Sequence, residues 1–225
     1  MPFVLGLLCF VVYNANLRQI GAGDTMPARY LPLLLLKHGT LAMDDHARLV
    51  ADGHPRTPNH DRPAGAAGRV AYCESWTYWL VMTRSHRLAS LYPVVTPLMV
   101  APLYLPAVAW LNAKGWEPPR IDRVAELMEK LSASVLATLA SVVMYLVLRR
   151  EVGAWSVPLA LTFAFGTNTW MISSQGLWQH GAGELLVAFA LFLAVGNLSR
   201  GRIALLGAVG VLLAANRPPD ALIAA

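Results

Sequence analysis

Apolar residues in this chain come in long blocks, separated by short polar turns and one long polar stretch. The blocks lie at about 1–13 (MPFVLGLLCFVVY), 91–111 (LYPVVTPLMVAPLYLPAVAWL), 131–148 (LSASVLATLASVVMYLVL) and 155–172. A final pair, at 184–198 and 203–215, is divided by the turn SRGR. Blocks of this content predict membrane helices, because about twenty mostly apolar residues cross the hydrocarbon core. The block at 91–111 differs from the others. Pro93, Pro97, Pro102 and Pro106 recur through it, and each proline removes a backbone donor and crowds the preceding turn. A spanning helix tolerates one or two such breaks; four predict a kinked or surface-lying segment packed against other helices. The stretch at about 44–88, rich in Asp, His, Pro, Gly and Arg, predicts a surface loop. Trp76, Tyr78 and Trp79 stand close together there, a grouping that favours the membrane–water interface.

Composition agrees. The chain has 225 residues, of which 56% are hydrophobic and only 14% charged, where soluble domains carry roughly a quarter charged residues. The formal net charge of +5 does not mark a nucleic-acid binder. No basic stripe with interleaved aromatics is present. Instead Arg149, Arg150, Arg200 and Arg202 sit in turns between apolar blocks, the distribution of a positive-inside signal. Cys9 lies in an apolar block and Cys73 in a polar one, so the two are not expected to pair, and no metal-type cysteine spacing occurs. The first block is only about a dozen residues long and lacks a basic start or a clear small-residue cleavage site, which argues against a signal peptide. With the apolar run that opens after Asn216-Arg217, it predicts that the chain is the N-terminal part of a longer protein.

Placing the RRE turn (Arg149–Glu151) and the SRGR turn in the cytoplasm puts GTNTWMISSQGLWQHGAGE and Asn216-Arg217 on the outer face. If 1–13 runs outward and 91–111 does not cross, all of about 14–130 is also outer. Every unusual polar residue then collects on one side; a crossing at 91–111 would separate Asp24 from the Trp178–His180 group. The expected fold class is therefore all-α: a polytopic integral membrane protein with a large outer first loop carrying juxtamembrane helices. Residues 1–225 form part of one module. Its outer loop covers about 14–130, and its membrane helices lie at about 1–13, 131–148, 155–172, 184–198 and 203–215.

Several outer residues carry candidate chemistry. Asp24, in GAGDTMPARY, precedes a short helix pattern with Pro27 in its first turn. A carboxylate beside a helix N-terminal dipole suits a general base for an acceptor hydroxyl or amine; a helix N-cap is the competing role. Arg29 has the planar fork that fits a phosphate, or else it snorkels at the interface. Tyr30 follows it in the same helix. LPLLLLKHG, closing on Lys37-His38, predicts an amphipathic helix on the bilayer. Tyr92 would line a lipid-carrier groove or simply begin a helix.

In MISSQGLWQHGAGELL, Gln175, Trp178, Gln179, His180 and Glu184 are spaced to share helix faces. Trp178 offers an aromatic platform for a sugar, and ionisable groups at membrane helix ends are functional candidates. The alternative is a solvated loop with Glu184 at a helix start. Arg217 and Asp220 flank Pro218-Pro219, as substrate contacts or as an interfacial charge pair. His46, His54 and His60 lie near Asp44, Asp45 and Asp61, but their spacing fits no ligand pattern, so no metal site is assigned. The absence of a phosphate-binding glycine loop, HExxH, GxSxG or CxxC argues against soluble nucleotide-sugar enzymes and membrane metalloproteases.

Asp24 after the first block, ARYLPLLLLKHG, YPVVTPLMVAPLY, the RRE turn and the WQHG cluster together resemble the GT-C glycosyltransferase superfamily. The similarity is to bacterial members of the class that includes protein O-mannosyltransferases and the aminoarabinose transferases of lipid A. The resemblance implies a polyprenyl-phosphate sugar donor, a lipid, glycan or protein acceptor, and a bacterial inner membrane with the active site on the outer face. It implies that Asp24 is the catalytic acid of the first outer loop, and that Arg29, Tyr30 and nearby basic groups seat the carrier phosphate. Trp178 and His180 would line the sugar or carrier pocket, and displacement at the anomeric carbon would invert it.

Two features depart from the family. Thr25 stands where many relatives have a second acid, and Gln179, His180 and Glu184 stand where many carry an Asp. No cofactor is assigned, and a divalent metal stays open. Two other classes also stay open. A lipid-linked glycan transporter would line a route through the bilayer with charges; a non-catalytic membrane subunit would not bring Asp24 and His180 together.

Overall fold

The computed structural model describes residues 1–16, 19–44, 79–85, 87–220 and 222. The expectations attached to His46, His54, His60, Asp45, Asp61, Cys73, Trp76 and Tyr78 lie outside the described residues. Among the described residues the protein is all-α apart from one short hairpin. It divides into two compact units, Met1–Gly21 with Glu129–Ala225, and Ala22–Met128.

The first unit holds α1 (Pro2–Asn14), the larger part of α5 (Pro118–Glu151), α6 (Ser156–Gly166), α7 (Gln179–Ala194) and α8 (Arg200–Asn216). A π-helical turn (Thr169–Ser173) precedes α7, and a 3-10 turn (Pro218–Asp220) follows α8. α1 buries Leu5, Cys9 and Tyr13, a stripe four residues apart, against Ala137 and Tyr145 of α5 and Ala160 and Ala164 of α6. The Tyr13 hydroxyl donates to the Ala164 carbonyl at 3.0 Å and shares a hydrogen bond with Ser141 Oγ at 3.1 Å. A buried phenol would otherwise carry an uncompensated desolvation cost. Gly6 lets α1 approach α5 closely, since a Cβ there would stand 3.2 Å from Val142 Cγ2. The other face of α1 leaves Phe3, Val4, Leu7, Leu8 and Val11 exposed.

α7 and α8 form an antiparallel hairpin, held at both ends. At one end Arg202 donates to the Phe192 and Val195 carbonyls at 2.7 and 2.8 Å. These are C-terminal carbonyls without helical partners, and the cation also complements the negative end of the helix. Arg150 joins the same end, its guanidinium 4.2 Å over the Phe192 ring. At the opposite end Asn216 Nδ2 donates to the Gln179 carbonyl at 2.9 Å. The basic turns and the polar WQHG segment therefore lie at opposite ends of this helix pair.

The second unit begins with a 3-10 turn (Gly23–Thr25) and α2 (Met26–His38), which Gly39 ends in the left-handed conformation at φ 65°. Leu31, Pro32, Leu33 and Leu34 of α2 are buried. They pack within the protein against the segments that follow the hairpin, where the sequence pattern predicts a helix lying on the bilayer. The hairpin pairs β1 (Leu80–Met82) with β2 (Leu88–Ser90), antiparallel, Leu80 opposite Ser90. Then come α3 (Val95–Val100), a 3-10 segment (Ala101–Tyr104), α4 (Leu105–Lys114) and the first turns of α5.

The prolines set these boundaries. Pro97, Pro102 and Pro106 each fall in the first turn of a new segment, where the missing N–H has no helical acceptor to lose. The proline-rich block is thus helical but broken into three segments. Two described helical stretches, Val95–Lys114 and Pro118–Glu151, are long and apolar enough to cross a membrane. The remaining expected spans appear as shorter apolar helices at Pro2–Asn14, Gly153–Gly166 and Gln179–Ala194, together with α8.

Candidate functional site

In the first unit a cavity of about 390 Å³ opens at the end of α7 and α8 away from the arginines. The π-helical turn supplies Thr169, Ile172 and Ser173; α7 supplies His180, Gly183, Glu184 and Val187; the end of α8 supplies Arg217 and Asp220. His180 and Glu184 stand four apart on α7 and meet the same space, as their spacing predicts. Thr169 Oγ1 donates to Glu184 Oε1. Arg217 lies 3.5 Å from Asp220 Oδ1, which pairs one of the two carboxylates with a guanidinium. Hydroxyls, an amide from Asn168 and an imidazole complete the polar wall, and Ile172 and Val187 supply an apolar one.

Glycines shape this end of the unit. A Cβ on Gly183 would stand 2.9 Å from Asp220 Oδ2, and one on Gly181 3.3 Å from the Ser173 carbonyl. The first turn of α7 can therefore approach both neighbouring turns only because GAG carries no side chain at its two glycines.

Gln175, Trp178 and Gln179 do not line the cavity. Gln175 is buried and engaged on both ends of its amide. Its Oε1 accepts from Lys130 Nζ at 2.7 Å and Asn16 Nδ2 at 3.0 Å, while Nε2 donates to the Trp170 carbonyl and Ser174 Oγ. The Trp178 indole donates to the Ile20 carbonyl at 3.3 Å. Gln179 contributes its backbone carbonyl to Asn216, and its side-chain Nε2 is buried with no hydrogen-bond partner among the described residues.

Two residues that no motif singled out hold this region together. Glu129 is fully buried and accepts from Gln19 Nε2 at 2.8 Å and the Leu177 backbone N–H at 3.1 Å. Lys130 is buried beside it and donates to the Ser174 carbonyl and Gln175. Their only trace in the sequence is a charged pair at the start of an apolar block.

In the second unit Asp24 is half-buried in the 3-10 turn, with Thr25, rather than Asp24, at the N-cap position of α2. Its Oδ1 accepts from the Tyr92 hydroxyl at 2.7 Å. Tyr92 thus meets the residue assigned to catalysis, a pairing the sequence does not disclose. Arg29 is buried at 5% exposure and lies 3.7 Å from Glu126 Oε1. The Tyr30 hydroxyl donates to Asp122 Oδ1 at 2.8 Å. Burial, and then the neighbouring Asp122, push this phenol well above its ordinary range. Arg29 and Tyr30 therefore tie α2 to the start of α5 within this unit.

Among the described residues no group of three or more His, Cys, Asp or Glu side chains is arranged to hold a metal ion. Comparison with protein-family models, with curated proteins and with solved structures finds no match for this chain.

Proposed function

We propose that this protein is an integral membrane glycosyltransferase, which moves a sugar from a polyprenyl-phosphate carrier to a lipid, glycan or protein acceptor. The observation that carries the proposal is the cavity at the polar end of the α7–α8 hairpin. It combines acceptors (Glu184, Asp220), donors (Arg217, Asn168, Thr167) and an apolar wall (Ile172, Val187), the mixture that a hydroxylated ring with one apolar face requires. The arginine-rich turns lie at the other end of the same helices, which supports a topology with that end cytoplasmic and the cavity on the outer face. In this topology about 14–130 is an outer loop with juxtamembrane helices, and the membrane is the bacterial inner membrane.

In the proposed reaction Asp24 takes the proton of the acceptor hydroxyl or amine. The acceptor atom bonds to the anomeric carbon, and the bond from that carbon to the phosphate oxygen breaks, with the electron pair leaving on the phosphate. Tyr92 fixes the carboxylate. Arg29, buried and beside Glu126, serves to place α2 rather than to meet a leaving phosphate. The test is transfer from a labelled polyprenyl-phosphate sugar by protein reconstituted in lipid, comparing Asp24→Asn and Glu184→Gln with the parent. Loss of transfer in both is the expected result; full activity in Asp24→Asn removes it from the mechanism.

A non-catalytic membrane subunit is the second reading. The internal pairing of Arg29 with Glu126 and Tyr30 with Asp122 favours it, because groups assigned to substrate are engaged within the protein.

A further inference from the structure

The second unit carries a basic and aromatic patch that the proposed transfer does not use. It forms where α2 ends, α4 ends and α5 begins. Lys37 Nζ lies 4.1 Å over the Trp116 ring, and the Trp116 indole donates to Asn112 Oδ1 at 2.9 Å. The Arg120 guanidinium lies 6.0 Å from the Trp110 ring centre and donates to the Lys114 carbonyl and, at 2.9 Å, to the Gly115 carbonyl. Lys114 is exposed at the end of α4, and Trp110 keeps 47% of its surface open. Among the described residues, Glu117, 3.4 Å from Arg120, is the acid that meets the patch. Lys37, Lys114 and Arg120 against Glu117 leave a surplus of two positive charges.

Three features point to one partner. The patch closes the apolar helical run Val95–Lys114, which exposes Leu98 and Leu105 and, in the proposed topology, lies along the outer membrane surface. Tryptophans at the end of such a segment settle at headgroup level. Basic side chains at that level are attracted to an anionic leaflet. Stacking on indole rings holds Lys37 and Arg120 in place, so their ordering cost is met before a headgroup arrives. We infer that Lys37, Lys114, Arg120, Trp110 and Trp116 form an anionic-phospholipid contact, with the phosphate among the cations and the glycerol region against the indoles.

The experiment uses the full chain in phosphatidylcholine vesicles containing a minor fraction of lipid brominated high on its acyl chain, which quenches tryptophans near the glycerol level. The signal of Trp110 and Trp116 is the difference between the parent and the Trp110→Phe, Trp116→Phe double variant. Brominated phosphatidylglycerol is expected to quench this component more than the same fraction of brominated phosphatidylcholine. Lys37→Gln and Lys114→Gln, both exposed positions, are each expected to lower the preference about fivefold. Equal quenching by the two lipids overturns the inference. So does no quenching at all, which would place the patch in water or against a protein. A preference erased by inorganic phosphate at matched ionic strength also overturns it, because the ligand would then be a soluble phosphate.

Discussion

The Tyr92 hydroxyl donates to Asp24 Oδ1 at 2.7 Å. The two residues come from the turn before α2 and the turn before α3, so the bond orients a carboxylate that a three-residue 3-10 turn alone would leave to rotate. Tyr92→Phe removes the donor and keeps the ring. Its expected stability cost is about 1 kcal/mol, that of one hydrogen bond, measured by thermal unfolding in detergent. Its expected transfer rate is reduced but measurable. Asp24→Asn is expected to lose about a hundredfold or more, the scale of general-base catalysis, without a matching loss of stability.

Gly183 and Gly207 offer a contrast in the same hairpin. An alanine Cβ at 183 would stand 2.9 Å from Asp220 Oδ2, whereas among the described residues nothing lies within 4 Å of one at 207. Gly183→Ala is expected to destabilise by about 1–3 kcal/mol, the range for overpacking, and to impair any ligand binding at the cavity. Gly207→Ala is expected to be neutral or to stabilise by up to about 1 kcal/mol, because alanine favours the helix interior. Melting curves of the two variants check this; equal shifts would contradict the close approach at Asp220.

Lys130 and Gln175 test the buried network. Lys130→Met removes the charge while Ser174 O keeps Ser134 and Gln175 Oε1 keeps Asn16 as donors. Its expected cost is small, about 1 kcal/mol. Gln175→Leu leaves the ammonium buried with one of its two acceptors gone, and about 3 kcal/mol is expected from breaking a buried charged contact. Thermal unfolding should rank them in that order.

Asp44 gives the hairpin a pH dependence. Partial burial raises its carboxyl, but the Leu88 backbone N–H at 2.8 Å and Arg87 at 3.1 Å outweigh it and hold the group below its ordinary value. A depressed carboxyl contributes stability that is full above the unfolded value of about 3.9 and is lost as pH falls through the folded one. Amide exchange at Leu88 is therefore expected to lose protection below about pH 4 in the parent. Asp44→Asn should show little change over that window.

The helices were legible because apolar blocks persist whatever packs on them. The blocks at 131–148 and 203–215 each lie within a helix of the structure, whereas the block at 184–198 runs four residues past the end of α7 at Ala194, where Val195 is extended and Gly196 turns at φ 97°. The proline block was legible as broken but not as helical, since each proline could restart a helix as easily as end one. At the cavity, His180 and Glu184 followed from a spacing of four. Arg217 and Asp220 were singled out by their place around Pro218-Pro219, and both line the cavity; Thr169 was not, because only the folded turn brings it to α7. Glu129 and Lys130 were hidden for another reason: charges next to an apolar block normally face water, and nothing local marks the buried carbonyls that receive them.

Sugar transfer itself tests the central claim most directly. The full chain, reconstituted in vesicles with a labelled polyprenyl-phosphate sugar and a bacterial membrane acceptor fraction, is assayed for label leaving the carrier. We expect transfer that Asp24→Asn and Glu184→Gln abolish and that Gly207→Ala leaves intact. Label that stays on the carrier in every case, or transfer that Asp24→Asn does not reduce, would contradict it.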